Sequence, residues 1–378
     1  MTLTNVRELV LGGMNRLSSF TIGANSLTSV ETLRLGTMNP SVLTAFGFTS
    51  SSSTVFSLSH PTILPSVNTL EVMSHSYPSV NKFIVSGVEG LERIMIGDGS
   101  VNGTSLSSEF RIENCTSLQS IEVGRESFRG IRSFVLRGLS RLASLELNSG
   151  SFYDTRSIGI NDISLKRLDI GDNQFVRVRE LVLNGLNELE SVVIGSGSFR
   201  MSGNERSDGL LKVANCSKLE SITLRNSSFE DFNSAEISNL GSLQLIAFGS
   251  NCFRYASSLL MNGLNGLRSI QFGSSSFTQI TSLPSNVLQR LTSLTIGSSA
   301  LSQLQSFPLS SMTSLQSLTI GSNTFGSIQS LDLSSTNTLN SISIGSGSFS
   351  GVESLRLGNS SIQLLRAFGL SDYSSGEC

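Results

Sequence analysis

The sequence predicts a mainly β, right-handed solenoid of about fifteen coils of ~24 residues, with short parallel strands on both faces and little helix. Three observations predict it. A phrase recurs at a fixed interval: LESVVIGSGSF from Leu189 to Phe199, LRSIQFGSSSF from Leu267 to Phe277, LQSLTIGSNTF from Leu315 to Phe325 and LNSISIGSGSF from Leu339 to Phe349. Within each phrase apolar and polar residues alternate, the period of a strand with one buried face. Ser, Gly and Asn recur too densely for stable helices.

The first leucine of each phrase is its anchor. Anchors read at Leu17, Leu43, Val67, Leu91, Leu118, Leu142, Leu165, Leu189, Leu219, Leu243, Leu267, Leu291, Leu315 and Leu339, with a degenerate copy near Leu365. The steps are 26, 24, 24, 27, 24, 23, 24 and 30, then 24 five times. Residues three and five places on, such as Leu145 and Leu147, form the buried side of a first strand. A glycine then usually follows, as at Gly124, Gly273 and Gly321; it suits a corner of positive φ or a close approach to a neighbour. Ten places after the anchor stands Phe, at Phe128, Phe152, Phe175, Phe199, Phe229, Phe253, Phe277, Phe325 and Phe349, a predicted spine of stacked rings. A second alternating stretch completes the unit, as in Ile131, Phe134 and Leu136 or Ile328, Leu331 and Leu333. Val6, Leu9 and Leu11 read as such a second strand.

This grammar resembles the leucine-rich repeat over almost the whole chain, and is most like the BspA-like subclass. Cys115, Leu118, Ile121 and the Ser127–Phe128 pair carry that likeness. Gly stands where the bacterial type usually has Pro, and mixed Ser, Asn and Gly replace its usual Asn ladder. The resemblance implies a binding protein, commonly at cell surfaces, with no catalytic residues to carry over.

A solenoid adds core by stacking, so residues 1–378 read as one domain. A net charge of −2 argues against bulk attraction to nucleic acid or an anionic membrane. No apolar run is long enough to span a bilayer, and no signal peptide opens the chain; the reading is intracellular as it stands, or cell-surface if the chain is a fragment. Neither end shows a polar cap, which points to truncation or end-to-end self-association. Cys115 and Cys216 hold equivalent positions four coils apart, about 19 Å at ~4.8 Å per coil, beyond the ~7 Å reach of a disulfide. Both are therefore expected buried and reduced, and no Cys/His spacing suggests zinc. No cofactor is implied.

Irregular places fall near residues 49–65, and at two corner insertions, 101–107 and 201–209. Loops on a rigid scaffold are common binding elements. Outward positions of the first strand carry Glu122, Glu146 and Asp169 in successive coils, and Glu92, Glu190 and Glu220 lie one place after their anchors. Together with Asn204, Glu205, Arg206 and Asp208 of the second insertion, these form the candidate surface, fit for a basic protein segment; a glycan is the other partner class. The bland reading of the same acids is a solvated face balanced by Arg93, Arg125, Lys166 and Arg167.

The function expected is a non-enzymatic binding scaffold, with a BspA-like cell-surface adhesin as the alternative. A β-helix carbohydrate-active enzyme is the rival from another class, since paired carboxylates suit hydrolysis. No His, Lys or aromatic subsite accompanies the acids, and Trp is absent. His60 and His75, the two histidines, pair with no Cys or Asp at ligand spacing. Hydroxyl rows at Ser293 and Thr295, Ser317 and Thr319, and Ser341 and Ser343 have the regularity to match ice or a glycan; solubilisation is the plainer role.

Overall fold

Period-two alternation does build strands, and the anchors stack them. The computed structural model describes residues 5–13, 21, 27–37, 40–46, 48–52, 54–59, 64–201, 208–332, 334 and 338–356. The chain is a parallel β-solenoid that divides into two compact units, 1–181 and 182–378.

In the first unit the first sheet runs through Glu8–Leu11, Thr32–Leu35, Thr69–Val72, Arg93–Ile96, Ser120–Val123, Ser144–Leu147 and Arg167–Ile170. Every pair is parallel and in register, so Leu70, Ile94, Ile121, Leu145 and Leu168 form one buried row. The second sheet is ordered Ser157–Ile163, Ser133–Leu139, Glu109–Glu113, Lys82–Ser86, Val55–Ser59 and Phe48–Ser52. In the second unit the first sheet runs from Ser191–Ile194 to Ser341–Ile344, and Leu210–Ala214, Ser234–Ser238 and Ser258–Asn262 pair in a second sheet. Each unit thus has seven described first-sheet strands.

The opening register differs from the sequence reading. Glu8–Leu11 belongs to the first sheet, paired with Thr32–Leu35, and is not a second strand. Val30, fully buried, takes the anchor place before Leu33 and Leu35, whereas Leu43 is buried in a six-residue helix, Pro40–Ala45. Leu17 and Leu365 lie outside the described residues. The irregular stretch that follows this helix holds a strand, Phe48–Ser52, that runs antiparallel along Val55–Ser59 and edges the second sheet. The misreading has a physical cause: both strands of a coil carry the same apolar-x-x-Leu-x-Leu pattern, so local periodicity cannot say which face a strand joins.

A second strand is also not universal. After Phe277 and after Leu301 its place holds single 3-10 turns, Ser285–Val287 and Leu309–Ser311. Pro284 and Pro308 precede them, and a proline has no N–H to give to a ladder.

The corner chemistry decides between the two roles open to the glycine. Gly273 and Gly321 are not at positive φ; an added Cβ at either would meet backbone of the preceding coil at 2.3 Å. Close approach is what requires glycine there. The left-handed conformation falls instead on the ring column, with φ 57° at Phe128, 51° at Phe152 and 48° at both Phe253 and Phe277. A bulky residue rarely adopts it, and burial of the ring holds it there. Tyr77, Val101 and Leu301 occupy the same left-handed, buried place in coils without Phe.

In the first unit two ring columns meet. Phe128, Phe152 and Phe175 stack at 5.1 and 5.7 Å, and Phe83, Phe110 and Phe134 at 5.6 and 5.2 Å. Edge-to-face contacts such as Phe110 on Phe152, 5.2 Å at 76°, lock the columns together. Beside the rings runs a fully buried column of small polar residues. Ser127 Oγ donates to Gly97 O at 2.8 Å and Ser151 Oγ to Gly124 O at 2.7 Å, each satisfying a carbonyl of the coil before it.

Candidate functional site

Strand geometry sends alternate side chains of the first sheet outward, and register aligns them across coils. In the first unit one outward row reads Arg34, Glu71, Met95, Glu122, Glu146 and Asp169. The structure therefore brings Glu122, Glu146 and Asp169 together on adjacent strands, about 4.8 Å apart in backbone spacing. Glu92 immediately precedes the strand Arg93–Ile96 and stands exposed, lining a groove with Asn68 and Gln119. In the second unit Glu220 N–H donates to Glu190 O at 2.9 Å, which places those two in neighbouring coils.

Ion pairing separates these acids from the others. Arg34 holds Glu8 at 2.9 Å and Glu71 at 2.7 Å. Arg111 binds Glu109 at 2.7 Å, Lys212 binds Glu236 at 2.8 Å, and Lys218 binds Glu188 at 2.7 Å. Among the described residues of the candidate set only Asp169 is so engaged, by Arg167 Nη2 at 2.7 Å. That hydrogen bond raises the Arg167 pKa, with the charges of Asp169 and Glu146 adding to it. Glu92, Glu122, Glu146, Glu190 and Glu220 are exposed and have no ion pair among the described residues.

Two grooves border the first-sheet face of the first unit. One, of about 600 Å³, runs along the corner past His75, Asp98, Arg125, Glu126 and Asn173. Its floor opens because Gly99 and Gly150 alternate with His75, Glu126 and Asn173 in one left-handed column. The His75 ring packs over Gly99, 3.1 Å from where a Cβ would stand, and Asp98 Oδ1 accepts the Arg125 N–H at 2.7 Å. The other groove, about 290 Å³, lies at the strand starts between Glu92, Arg93 and Gln119. Sequence periodicity gave no sign of either groove; the glycine alternation at one corner column was the available signal.

The insertions are placed as follows. Val101 enters the ring column fully buried, while Leu106 stands 86% exposed at the tip of the first insertion. Asn102 Oδ1 accepts the Arg129 N–H at 3.1 Å and ties that loop to the next coil. In the second, Met201 is buried and Asp208 exposed. Asn204, Glu205 and Arg206 lie outside the described residues, as do His60 and Cys378.

Cys115, Cys216 and Cys252 are fully buried free thiols. Burial pushes the Cys115 thiol up to about 11 and Cys252 up to about 12, and raises Cys216. Neutral thiols of this kind are weak nucleophiles. Cys252 takes the buried serine place, its Sγ donating to Arg225 O at 3.1 Å.

An asparagine ladder, which the mixed composition hid, runs along the other corner of the second unit. Asn215 Nδ2 donates to Asn184 Oδ1 at 2.8 Å, and Asn239 Nδ2 to Asn215 Oδ1 at 3.1 Å. Among the described residues no helix is long and apolar enough to cross a membrane.

No protein-family model matches the chain, and no curated protein matches it. Among solved structures it is similar to CroV588, a circular leucine-rich-repeat protein, at 16% identity and a TM-score of 0.28, over 86% of this chain and 58% of that one. It thus spans 58% of the length of that neighbour. A leucine-rich-repeat protein from Eubacterium ventriosum is similar at 13% identity and a TM-score of 0.22, over 79% and 85% of the two chains. A leucine-rich cell surface protein from Faecalibacterium prausnitzii is similar at 12% identity and a TM-score of 0.16, over 98% and 92%. These structural neighbours are leucine-rich-repeat proteins, one of them a bacterial cell-surface protein, and none of the three names is BspA-like.

Proposed function

We propose that the chain is a non-enzymatic binding scaffold whose first-sheet face receives a basic segment of a protein partner. The observation that carries this is the row Glu122–Glu146–Asp169, in which Glu122 and Glu146 stand exposed outside any ion pair among the described residues, while Glu71 and Asp169 of the same outward row are paired. A folded chain that arranges ion pairs elsewhere and leaves these open offers complementary charge to something outside. The grooves beside Glu92 and beside Asp98 supply edges for the partner's side chains. The outward rows of this face hold no histidine, cysteine or aromatic ring. Glu190 and Glu220, with Asp208, extend the reading to the second unit.

Binding of a Lys/Arg-rich peptide to the whole chain, followed by fluorescence anisotropy, tests this. Exposed charge pairs at ~0.2–1 kcal/mol each predict that E122Q/E146Q weakens binding roughly 2- to 30-fold. Affinity should also fall with ionic strength. Equal affinity of the double variant and the parent would exclude the face as the site.

A further inference from the structure

Four asparagines stand immediately before a glycine: Asn102, Asn184, Asn262 and Asn265. Such a step carries its own reaction. Glycine has no Cβ to shield its backbone nitrogen, so that nitrogen can attack the asparagine Cγ. The new C–N bond closes a succinimide ring, the Cγ–Nδ2 bond breaks, and the N–H proton leaves with the departing amide as ammonia. Water then adds to one of the two ring carbonyls and opens the ring to aspartate or isoaspartate. No electrons are exchanged and no cofactor takes part. A folded chain permits the attack where the carboxamide is free to turn toward the backbone and the glycine N–H is free of an acceptor.

The structure sorts the four steps into two kinds. Asn102 is pinned at both ends of its carboxamide, Nδ2 donating to Gly99 O at 3.3 Å and Oδ1 accepting the Arg129 N–H at 3.1 Å. Gly103 after it is buried, with a would-be Cβ only 2.2 Å from Val80 O. Asn184 Oδ1 accepts from Asn215 Nδ2 at 2.8 Å, and the Gly185 N–H donates to Ala214 O at 3.0 Å. Asn262 and Asn265 have neither restraint. Among the described residues their carboxamides make no hydrogen bond, and the N–H groups of Gly263 and Gly266 find no acceptor.

Topology explains the difference. Corner residues of this column donate to the coil that follows: the Asn215 N–H to Ser238 O at 3.2 Å and the Asn239 N–H to Asn262 O at 3.0 Å. After Asn262 the following coil has no second strand; the 3-10 turn Ser285–Val287 stands there behind Pro284. Ser258–Asn262 is therefore the last strand of its sheet, laddered on one side only. Gly263, exposed at φ 61°, is left with its N–H unused. Asn265 and Gly266 are the two central residues of the turn that the Leu267 N–H closes on Leu264 O at 3.2 Å, where inner N–H groups point away from the ladder. We propose that this corner, Asn262 to Gly266, is a site of spontaneous deamidation. Ageing there adds carboxylates and, through isoaspartate, an extra backbone carbon on either side of the buried Leu264.

Incubation of the whole folded chain at mildly alkaline pH, followed by peptide mapping with mass spectrometry, tests this. The tryptic peptide Tyr255–Arg268 holds both sites, and fragmentation assigns each. Both should convert to mixed aspartyl and isoaspartyl products, the signature of the ring. Asn102 and Asn184 should lag roughly 5- to 150-fold, the factor for the two hydrogen bonds each must break. In urea the four sites should converge, since only the fold separates them. Either Asn262 or Asn265 converting no faster than Asn102 or Asn184 in the folded chain would overturn the proposal. So would aspartate as the sole product, which marks direct hydrolysis.

Discussion

Phe253 and Phe277 stack at 5.0 Å with their planes 17° apart, both fully buried and both at φ 48°. They lie twenty-four residues apart in sequence and one coil apart in space. The same pairing repeats at Phe199 on Phe229 and Phe229 on Phe253. Ring burial therefore opposes backbone strain at every such corner.

Removing one ring should be costly. Phe253→Ala or Phe277→Ala is expected to lose roughly 3–5 kcal/mol, because the cavity is walled by neighbouring rings and cannot collapse freely. Urea unfolding with amide exchange checks it. Unchanged protection in both variants would mean the column is not core. Phe277→Gly should be no worse than Phe277→Ala, since glycine relieves the left-handed strain that alanine keeps.

Two glycines of the second unit should respond oppositely to alanine. Gly273→Ala places a Cβ 2.3 Å from backbone of Gly249 and should destabilise by about 1–3 kcal/mol. Gly241 has nothing within 4 Å of a Cβ and no positive φ, so Gly241→Ala should be neutral or stabilise by ~0.4–1 kcal/mol. Denaturation midpoints of the two variants decide between steric and conformational roles for the corner glycine.

The buried serine column makes a hydrogen-bond prediction. Ser228 Oγ donates within reach of Gly195 O at 2.8 Å and Arg225 O at 2.6 Å. Ser228→Ala should cost about 1–3 kcal/mol through the unsatisfied carbonyls. Ser228→Cys should recover part of that loss, because Cys252 fills the equivalent place. Equal stability of the alanine and cysteine variants would show that the bond contributes nothing.

Alkaline pH should unfold the chain partly through its thiols. Cys115 and Cys252 have folded pKa values of about 11 and about 12 against 9 for a free thiol. Below pH 9 both states are protonated and the contribution is intact. Between 9 and the folded values the unfolded state alone releases protons, so stability falls as pH rises. Melting temperature should drop across this window, and less steeply in Cys252→Ser. Thiol alkylation should likewise require unfolding.

The anchors, the ring column and the acidic row were all legible because each is a fixed offset within one repeat. Leu43 shows the limit. It satisfies the spacing of an anchor yet is buried in a helix, and Val30 takes the role assigned to it. Val6 through Leu11 shows the same ambiguity between two faces with one pattern. The Asn184–Asn215–Asn239 ladder was hidden by the mixed Ser, Asn and Gly at that corner, and the insertion at 201–209 stretches its first step to 31 residues while the second keeps 24.

Sequence alone determined that the coils stack, which residues enter the core, and that Glu122, Glu146 and Asp169 share a face. Period-two alternation and the ~24-residue repeat are local quantities, and a solenoid turns them directly into positions. Only the tertiary structure decided which acids are paired, why Gly273 must be glycine, and which opening strand joins which sheet. Those depend on distances between residues a whole coil apart, such as Arg34 to Glu71 at 2.7 Å, which no local pattern encodes.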